Sequence, residues 1–255
     1  YNASNYQVLS VDVNNATLEN SAVFIAEDAN AVLQSLQYVG GKLFGTYMKD
    51  AHDEVRIFDT KGTRTGELKL PTVGTFSGLS GKAKEDVAYF SFTSFTFPSV
   101  IYRYEVSKNE YTESFKPNID IDLNQYESKQ VFYTSKDGTK VPMFIVHKKG
   151  IKLDGTNPTL LYGYGGFNSS LQPSFSVSRL VWMENGGVYA MAKIRGGGEY
   201  GKARHEAGTK LQKQNVFDDF IAAAEYLINE KYTSPGKLAV QGGSNGGLLI
   251  GAVVN

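Results

Sequence analysis

A serine stands between two pairs of glycines in the segment GGSNGG, which covers residues 242–247. The spacing of Gly242, Ser244 and Gly246 is that of the G-x-S-x-G nucleophile elbow, a sharp turn that holds a serine hydroxyl above a sheet. Side chains two positions before and two positions after the serine would collide with such a turn, and glycine relieves that crowding. A serine held in this way can act as the nucleophile of an acyl-transfer reaction.

The residues on either side of this motif predict the strand, turn and helix that an elbow requires. The run KLAVQ before the turn is typical of a strand, and NGGLLIGAVV after it begins a helix whose amino end directs backbone N–H groups toward Ser244. The N–H of Asn245 is therefore a candidate donor to an oxyanion. Since a chain with 27 glycines produces G-x-S-x-G strings by chance, the interpretation depends on these flanking elements.

Two other glycine-containing segments bear on the chemistry. A phosphate-binding loop would need the G-x-x-x-x-G-K-[ST] arrangement, but no lysine follows Gly247, and IRGGGEYG at 194–201 is not followed directly by a helical pattern. The segment YGYGGF, residues 162–167, follows a predicted buried strand whose outgoing loop supplies the second oxyanion donor in this architecture. The hydroxyl of Tyr164 can serve as that donor, although a tyrosine here can equally be a packing aromatic.

The second half of the chain alternates strands and helices. A hairpin, KQVFYTS and TKVPMFIVHKK, leads to the strands TLLYGYGG, GGVYAMAKIRG and KLAVQGGS. A helix is predicted over 216–229, with Asn215 as its N-cap and with Asp218 and Asp219 in a first turn where the helix dipole favours acids. This alternation predicts an α/β fold with a mostly parallel sheet and helices on both faces. The apolar positions of the helix are Val216, Phe217, Phe220, Ile221, Ala224, Leu227 and Ile228.

The first half, by contrast, consists of short alternating or aromatic-rich runs that predict an all-β structure. A strand that ends in an acid recurs at Asp12, Asp59 and Glu105, at intervals of 47 and 46 residues. Partner strands are predicted after each one, at LEN from residue 18, ELKL from 67 and YTES from 111. A period near 40–50 residues indicates the blades of a β-propeller, of which about two and a half are present. A β-sandwich with a coincidental spacing is the alternative.

Composition excludes several kinds of partner. Lysine plus arginine and aspartate plus glutamate number 26 each in 255 residues, so no summed charge favours nucleic acid or an anionic membrane. No stretch of about 18 consecutive apolar residues occurs. The absence of cysteine excludes disulfides and thiolate metal sites and leaves both the cytoplasm and the periplasm open. We expect no nucleic-acid partner, no membrane partner, no cofactor and no metal.

Several segments together closely resemble the prolyl oligopeptidase family of serine peptidases: YGYGGF, NSSLQPSFSVSRLVW, IRGGGEYG, KQNVFDDFIAAAEYLINEKYTSP and GGSNGG. The resemblance runs from about residue 125 to 255, and the propeller-like first half fits the same family. It implies a seven-bladed β-propeller capping an α/β-hydrolase domain, and a monomer that hydrolyses short peptides on the carboxyl side of proline. Carried over by position, Ser244 is the nucleophile, while the Asn245 N–H and the Tyr164 hydroxyl form the oxyanion hole. Phe167 lines the slot for the proline ring, and the Asn245 side chain also contacts substrate.

The chain departs from the family at one point that matters for catalysis. In this fold the catalytic triad runs Ser, then Asp or Glu, then His, but the residues after Ser244 include neither an acid nor a histidine. The three histidines, His52, His147 and His205, all precede the serine and are interpreted as structural or surface residues. We therefore expect the chain to be the middle portion of a longer enzyme. Residues 1–117 would be the C-terminal blades of the propeller, and 118–255 the N-terminal half of the catalytic domain.

Other functions remain open at this stage. Sister peptidases of the superfamily, such as oligopeptidase B, dipeptidyl peptidases and acylaminoacyl peptidases, share the elbow, as does a relative that joins peptides into rings. A function of another class is a non-catalytic binding module, in which a degenerate hydrolase platform contacts other proteins.

Overall fold

The computed structural model describes residues 2–50 and 52–255. They form two compact units. The first takes in the chain up to Ser94 together with Pro98–Asn118 and Gln172–Ser174. The second consists of Phe95–Phe97, Ile119–Leu171 and Phe175–Asn255.

The first unit is built from β-strands, as its short alternating runs predict. In chain order they are β1 (Val8–Ser10), β2 (Ala22–Ile25), β3 (Val32–Val39), β4 (Lys42–Lys49), β5 (His52–Phe58), β6 (Arg64–Leu68), β7 (Thr75–Phe76), β8 (Ser80–Gly81), β9 (Val87–Ser94), β10 (Phe97–Glu105) and β11 (Glu110–Phe115).

These strands form sheets that repeat along the chain. One sheet has the order β3-β4-β5-β6, the next has the order β7-β9-β10-β11 with β8 beside β9, and β1 pairs with β2. Asp59 directly follows β5 and Glu105 closes β10, so the acid-ending strands occupy corresponding places in successive sheets. The predicted repeat is therefore confirmed for Asp59 and Glu105, whereas Asp12 lies two residues beyond the end of β1 and caps a 3-10 turn at Val13–Asn15. The described residues contain two larger sheets and the β1-β2 pair, in agreement with the predicted two and a half units.

Two details of the first unit differ from prediction. The segment Leu18–Asn20, expected to be a strand, forms a 3-10 turn, and β1 pairs with β2 instead. Strand β3 was not recognised, because its pairing with β4 shifts register between Leu33 and Ser35. Such a bulge breaks the alternation of buried and exposed side chains that identifies a strand in sequence.

A cluster of aromatic side chains packs on the sheet that contains β9 and β10. The ring centroid of Phe90 lies 5.1 Å from Tyr102, 5.2 Å from Phe76 and 5.4 Å from Tyr111. Burial raises the pKa of Tyr102 to about 12, so its phenol remains neutral among these rings. Alternate residues of β9 and β10 supply the buried side chains, as expected of strands with one face in a core.

The second unit combines a sheet with helices. Its strands are β12 (Tyr126–Thr134), β13 (Lys140–Lys148), β14 (Thr159–Tyr162), β15 (Val188–Ala192) and β16 (Leu238–Gln241). Its helices are α1 (Val177–Glu184), α2 (Gly201–Glu206), α3 (Gln214–Asn229) and α4 (Asn245–Val253).

The sheet of the second unit has the order β12-β13-β15-β14-β16. The pairings of β12 with β13 and of β13 with β15 are antiparallel, whereas β14 pairs in parallel with both β15 and β16. Tyr162, at the end of β14, is therefore level with Met191 of β15 and Gln241 of β16. The loops that follow these three strands leave the sheet side by side, at the edge where ligands bind in α/β folds.

Helices lie on both faces of this sheet. Val216, Phe220 and Leu227 of α3 and Leu249 of α4 belong to one cluster of buried side chains, together with alternate residues of β13 and β15. Helix α1 also packs on β13 and β15, but its buried residues lie outside that cluster, which places it on the opposite face. Among the apolar residues named for α3 from the sequence, Ile221 is 41% exposed.

The beginning of α3 also differs from prediction. The helix begins at Gln214 and the preceding Lys213 already has helical dihedral angles, so Asn215 is not the N-cap. Its side-chain amide instead donates to the carbonyl of Ala207 at 2.9 Å. Helix α1 was not predicted, and α2 begins at Gly201, the last residue of the IRGGGEYG segment, where no helix was expected.

A buried ion pair joins α3 to the segment after β15. Asp219 is completely buried, and its carboxylate accepts from the Arg195 guanidinium at 2.7 Å and from the Arg195 backbone N–H at 2.9 Å. Asp137 binds the same guanidinium, and the hydrogen bonds from Arg195 hold the pKa of that carboxyl well below its usual value. Asp219 thus fixes the path of the chain after β15, a role that the helix-dipole interpretation did not foresee.

Replacement of Asp219 by asparagine should lower the free energy of unfolding by about 3–5 kcal/mol, because the buried Arg195 charge would lose its principal partner. Urea unfolding followed by circular dichroism measures this effect. Asp218→Asn is the matched control, since among the described residues Asp218 bonds only to Gln214, one turn earlier on α3, and the change should cost less than about 1 kcal/mol. Equal losses in the two variants would contradict the anchoring role of Asp219.

Candidate active site

Ser244 lies on the turn between β16 and α4, as the sequence predicts. Its backbone has φ 54° and ψ −116°, a conformation that costs a residue with a side chain about 1–3 kcal/mol. The residue is exposed, and the turn is fixed by hydrogen bonds from the Gly246 N–H to the Gly243 carbonyl at 2.7 Å and from the Gly247 N–H to the Ser244 carbonyl at 2.8 Å. The strained serine is thus maintained by the surrounding turn.

The four glycines around Ser244 are not equivalent. A Cβ at Gly242 would lie 2.4 Å from the carbonyl oxygen of Gly246, and a Cβ at Gly246 would lie 2.8 Å from the carbonyl oxygen of Gly163. A Cβ at Gly243 or Gly247 would meet no described atom within 4 Å. The predicted crowding two residues before and two residues after the serine is therefore confirmed.

Asn245 begins α4 directly after the serine. Its side-chain amide donates to the backbone carbonyl of Tyr164 at 2.7 Å, which joins the elbow to the loop after β14. Among the described residues no acceptor faces the Asn245 backbone N–H, whereas the next two N–H groups are used within the turn. The sequence-predicted residues Ser244, Asn245 and Tyr164 are thus brought to the same edge of the sheet.

Tyr164 follows β14 and is partly buried. A Cβ at Gly246 would lie 3.7 Å from the Tyr164 ring, so the aromatic ring borders the helix that follows the serine. This contact and the hydrogen bond from Asn245 set the course of the loop after β14.

Phe167 lies farther along the same loop and is 77% exposed. It has φ 54° and the following Asn168 has φ 55°. Left-handed backbone is uncommon for residues other than glycine and accumulates at functional sites. A large aromatic held at the surface in this conformation is available to contact an apolar ligand.

A cavity of about 500 Å³ lies beside this loop. Gly166, Phe167, Asn245, His205 and Lys213 contribute to its lining, and its size is within the range of small-molecule and peptide sites. The lining of this cavity therefore includes Phe167 and Asn245, the two residues that the family resemblance assigned to substrate binding.

Lys213 and His205 are residues near the site that sequence reasoning did not assign to it. The Lys213 ammonium donates to the Gly165 carbonyl at 2.7 Å, and burial lowers the pKa of that lysine. His205 lies 2.8 Å from the Gly196 carbonyl through Nδ1. The Asn168 N–H lies within hydrogen-bond distance of both His205 Nδ1 and the Gly196 carbonyl. We therefore assign the imidazole proton to Nδ1, so that the Gly196 carbonyl accepts from Asn168 and from His205. No local sequence signal marks either residue, because both reach the loop only through the fold.

Within the described residues, neither a metal site nor a membrane-spanning helix is present. In residues 2–50 and 52–255, no three His, Asp or Glu side chains are grouped as a metal ion would require. Over the same residues, none of the helices combines the length and the apolar character needed to cross a membrane. His147 is buried in β13, where its Nδ1 lies 2.9 Å from the Lys148 carbonyl.

Alanine at Gly242 should destabilise the second unit by about 2 kcal/mol or more, since its methyl group would overlap the Gly246 carbonyl. Alanine at Gly247 is the matched control within the same turn and should be neutral or slightly stabilising, because Ala favours a helix more than Gly does. The midpoint of urea unfolding reports both changes. An unchanged unfolding midpoint in Gly242→Ala would contradict this steric requirement, because it would show that the turn relaxes around the added methyl group.

Comparison with known proteins agrees with this geometry. The family model described as "Prolyl oligopeptidase, N-terminal beta-propeller domain" matches residues 1–116, and the model described as "Prolyl oligopeptidase family" matches residues 173–255. A prolyl endopeptidase of Elizabethkingia meningoseptica is 49% identical over 252 residues, which cover 99% of this chain and 36% of the relative. The chain therefore spans about a third of the length of this curated relative.

Solved structures give the same result. A structure from a mechanistic study of two prolyl endopeptidases superimposes with a TM-score of 0.96 at 51% identity, covering 98% of this chain and 37% of the other. Prolyl oligopeptidase B from Galerina marginata, bound to a 35mer hydrolysis and macrocyclization substrate, superimposes with a TM-score of 0.93 at 35% identity, covering 99% of this chain and 36% of the other. These matches extend over both units and confirm a β-propeller portion followed by an α/β-hydrolase portion. The chain belongs to the prolyl oligopeptidase family of serine peptidases.

Proposed function

We propose that this chain is part of a serine endopeptidase that hydrolyses short peptides on the carboxyl side of proline through an acyl-enzyme at Ser244. The observation that carries the proposal is the exposed, strained Ser244 at the start of α4, beside an Asn245 N–H that no described residue uses. Strain of this kind persists only where the surrounding structure enforces it, and it accumulates at active sites.

In the proposed reaction the Ser244 hydroxyl oxygen attacks the carbonyl carbon of the scissile peptide bond and passes its proton to a base. The Asn245 N–H and the Tyr164 hydroxyl stabilise the resulting oxyanion. Collapse of the tetrahedral intermediate breaks the C–N bond, and the amine leaves with the proton from the base. Water then attacks the ester by the same route and regenerates Ser244.

The base and its orienting acid are assigned to polypeptide outside residues 1–255, because the family order places both after the serine. In keeping with this assignment, we propose that residues 1–117 are C-terminal blades of the propeller. Residues 118–255 would then be the N-terminal half of the catalytic domain. An unactivated serine hydroxyl is a weak nucleophile, so we expect activity only from the full-length protein.

Proline selection is assigned to an apolar surface that includes Phe167. A proline ring offers no N–H to a hydrogen-bond acceptor, so contact with aromatic side chains is the available means of recognising it. The exposed ring of Phe167 and the cavity that it shares with Asn245 support this assignment. The substrates would accordingly be short, flexible peptides that contain proline.

Two measurements on the full-length protein test the function. A fluorophosphonate probe should label the wild type and should fail to label Ser244→Ala. A blocked Gly-Pro reporter should be cleaved far faster than an Arg reporter or one with a free amino terminus. Absence of labelling in the wild type, or equal labelling of the alanine variant, would favour a non-catalytic binding module. A preference for the Arg or free-amino reporter would move the assignment to a sister peptidase.

Tyr164→Phe should lower kcat for the Gly-Pro reporter by about 10–1000-fold, with little change in KM, because one oxyanion donor is lost while the ring is kept. Tyr162→Phe removes the same hydroxyl two residues earlier, within β14, and serves as the matched control with unchanged kcat. Steady-state kinetics of both variants measure kcat and KM for comparison with the wild type. An unchanged kcat in Tyr164→Phe would show that this tyrosine has a packing role and does not bind the oxyanion.

A further inference from the structure

The segment IRGGGEYG follows β15 and has no part in the proposed chemistry. We call residues 194–201 the glycine segment and residues 163–171 the tyrosine loop. Because β14 and β15 are parallel neighbours, the two leave the sheet at the same edge. The Arg195–Asp219 ion pair fixes the first turn of the glycine segment, so this segment approaches the tyrosine loop from a rigid base.

The backbones of the two segments are in direct contact. A Cβ at Gly196 would lie 2.7 Å from the carbonyl oxygen of Gly165, and a Cβ at Gly198 would lie 2.7 Å from the carbonyl oxygen of Asn168. No side chain fits between chains at this separation. Gly196 and Gly198 therefore serve close packing against the tyrosine loop.

Glu199 adds a polar contact at the far end of the loop. Its Oε1 accepts from the Leu171 N–H at 2.8 Å, and the side chain is only 2% exposed. Within the described residues its Oε2 has no hydrogen-bond partner, although the buried Lys193 acts on the carboxylate electrostatically. Burial raises the pKa of Glu199, which shows how unfavourable this environment is for a carboxylate. Within the described residues, the hydrogen bond that this carboxylate makes to another segment of the chain is the one to the tyrosine loop.

The beginning of the same loop is held from the other side. Asn245 donates to the Tyr164 carbonyl at 2.7 Å, and the Gly163 carbonyl lies against Gly246. The tyrosine loop is therefore fixed by the elbow at its start and by Glu199 at its end. Tyr164 lies at the first of these attachments, and Phe167 lies between the two.

We propose that Glu199 is a positioning residue for Tyr164, and that the glycine segment is the surface against which the tyrosine loop is shaped. This inference rests on the proposed function, in which the Tyr164 hydroxyl binds the oxyanion. Glu199 touches no substrate in this role. It acts by fixing the Leu171 N–H, so that the loop cannot shift away from Ser244.

A double-mutant cycle in the full-length protein tests the proposal with the Gly-Pro reporter. Glu199→Ala should lower kcat by about 10-fold or more, because displacement of a catalytic donor by about 1 Å is enough to slow the reaction that much. In a Tyr164→Phe background the same change should lower kcat by less than about threefold, since the hydroxyl that it positions is already gone. A merely structural role would give the same loss in both backgrounds.

Two further variants serve as controls, and a third replaces Glu199→Ala if that variant does not fold. Glu199→Gln keeps an oxygen acceptor for the Leu171 N–H and should restore kcat to within about threefold of wild type. Glu206→Ala removes an exposed acid from the adjacent α2 and should have no effect. Should Glu199→Ala fail to fold, Gly198→Ala displaces the loop through contact with Asn168 while the carboxylate remains, and should give the same dependence on Tyr164.

The outcomes separate this inference from the proposed function. Equal losses in the two backgrounds, unchanged kcat in Glu199→Ala, or failure of Glu199→Gln to restore activity would each overturn the role of Glu199, while the wild type remained an active prolyl peptidase. A wild type that neither cleaves the Gly-Pro reporter nor reacts with the fluorophosphonate would instead overturn the proposed function.

Discussion

Close approach of backbone to backbone at the carboxyl edge of the second sheet is the constraint on which the candidate site depends. The turn after β16 folds so tightly that Gly242 faces the Gly246 carbonyl, and Gly246 faces the Gly163 carbonyl in the loop after β14. Side chains are excluded from these contacts, so Ser244 is presented outward in a conformation that an unconstrained serine would leave. The packing of the turn and of α4 compensates for the unfavourable free energy of that backbone conformation.

Buried and partly buried polar side chains stabilise the loops that surround this edge. Asp219 of α3 holds Arg195 at the start of one loop, Lys213 binds the Gly165 carbonyl of the next, and Asn245 binds the Tyr164 carbonyl. Each of these side chains supplies a hydrogen-bond partner to a charge or a carbonyl at this edge of the sheet. Backbone that leaves the sheet as loops is thereby held in place by side chains from α3, α4 and the segment before α3.

The first unit is stabilised by different means. Its strands pair with near neighbours in the chain, and its core consists largely of aromatic rings from alternating positions, such as Phe90 and Tyr102. Because every sheet repeats the same local arrangement, the period of the acid-ending strands could be recognised in the sequence. Strand β3 and the turn at Leu18–Asn20 were misread because a bulge and a short polar segment carry no periodic signal.

The sequence by itself determined the two fold classes and the elbow at Ser244, because local spacing and turn chemistry encode them. Their places beside the elbow made Asn245 and Tyr164 candidates, and the family resemblance added Phe167. Tertiary structure alone decided that Gly196 and Gly198 are sterically required, where α3 begins, and that Asp219 binds Arg195 rather than a helix dipole. It also decided that Glu199 and Lys213 reach the loop after β14. These contacts join residues 28 to 48 positions apart, and a pattern read along the chain cannot reveal which parallel strands become neighbours and so bring their loops together.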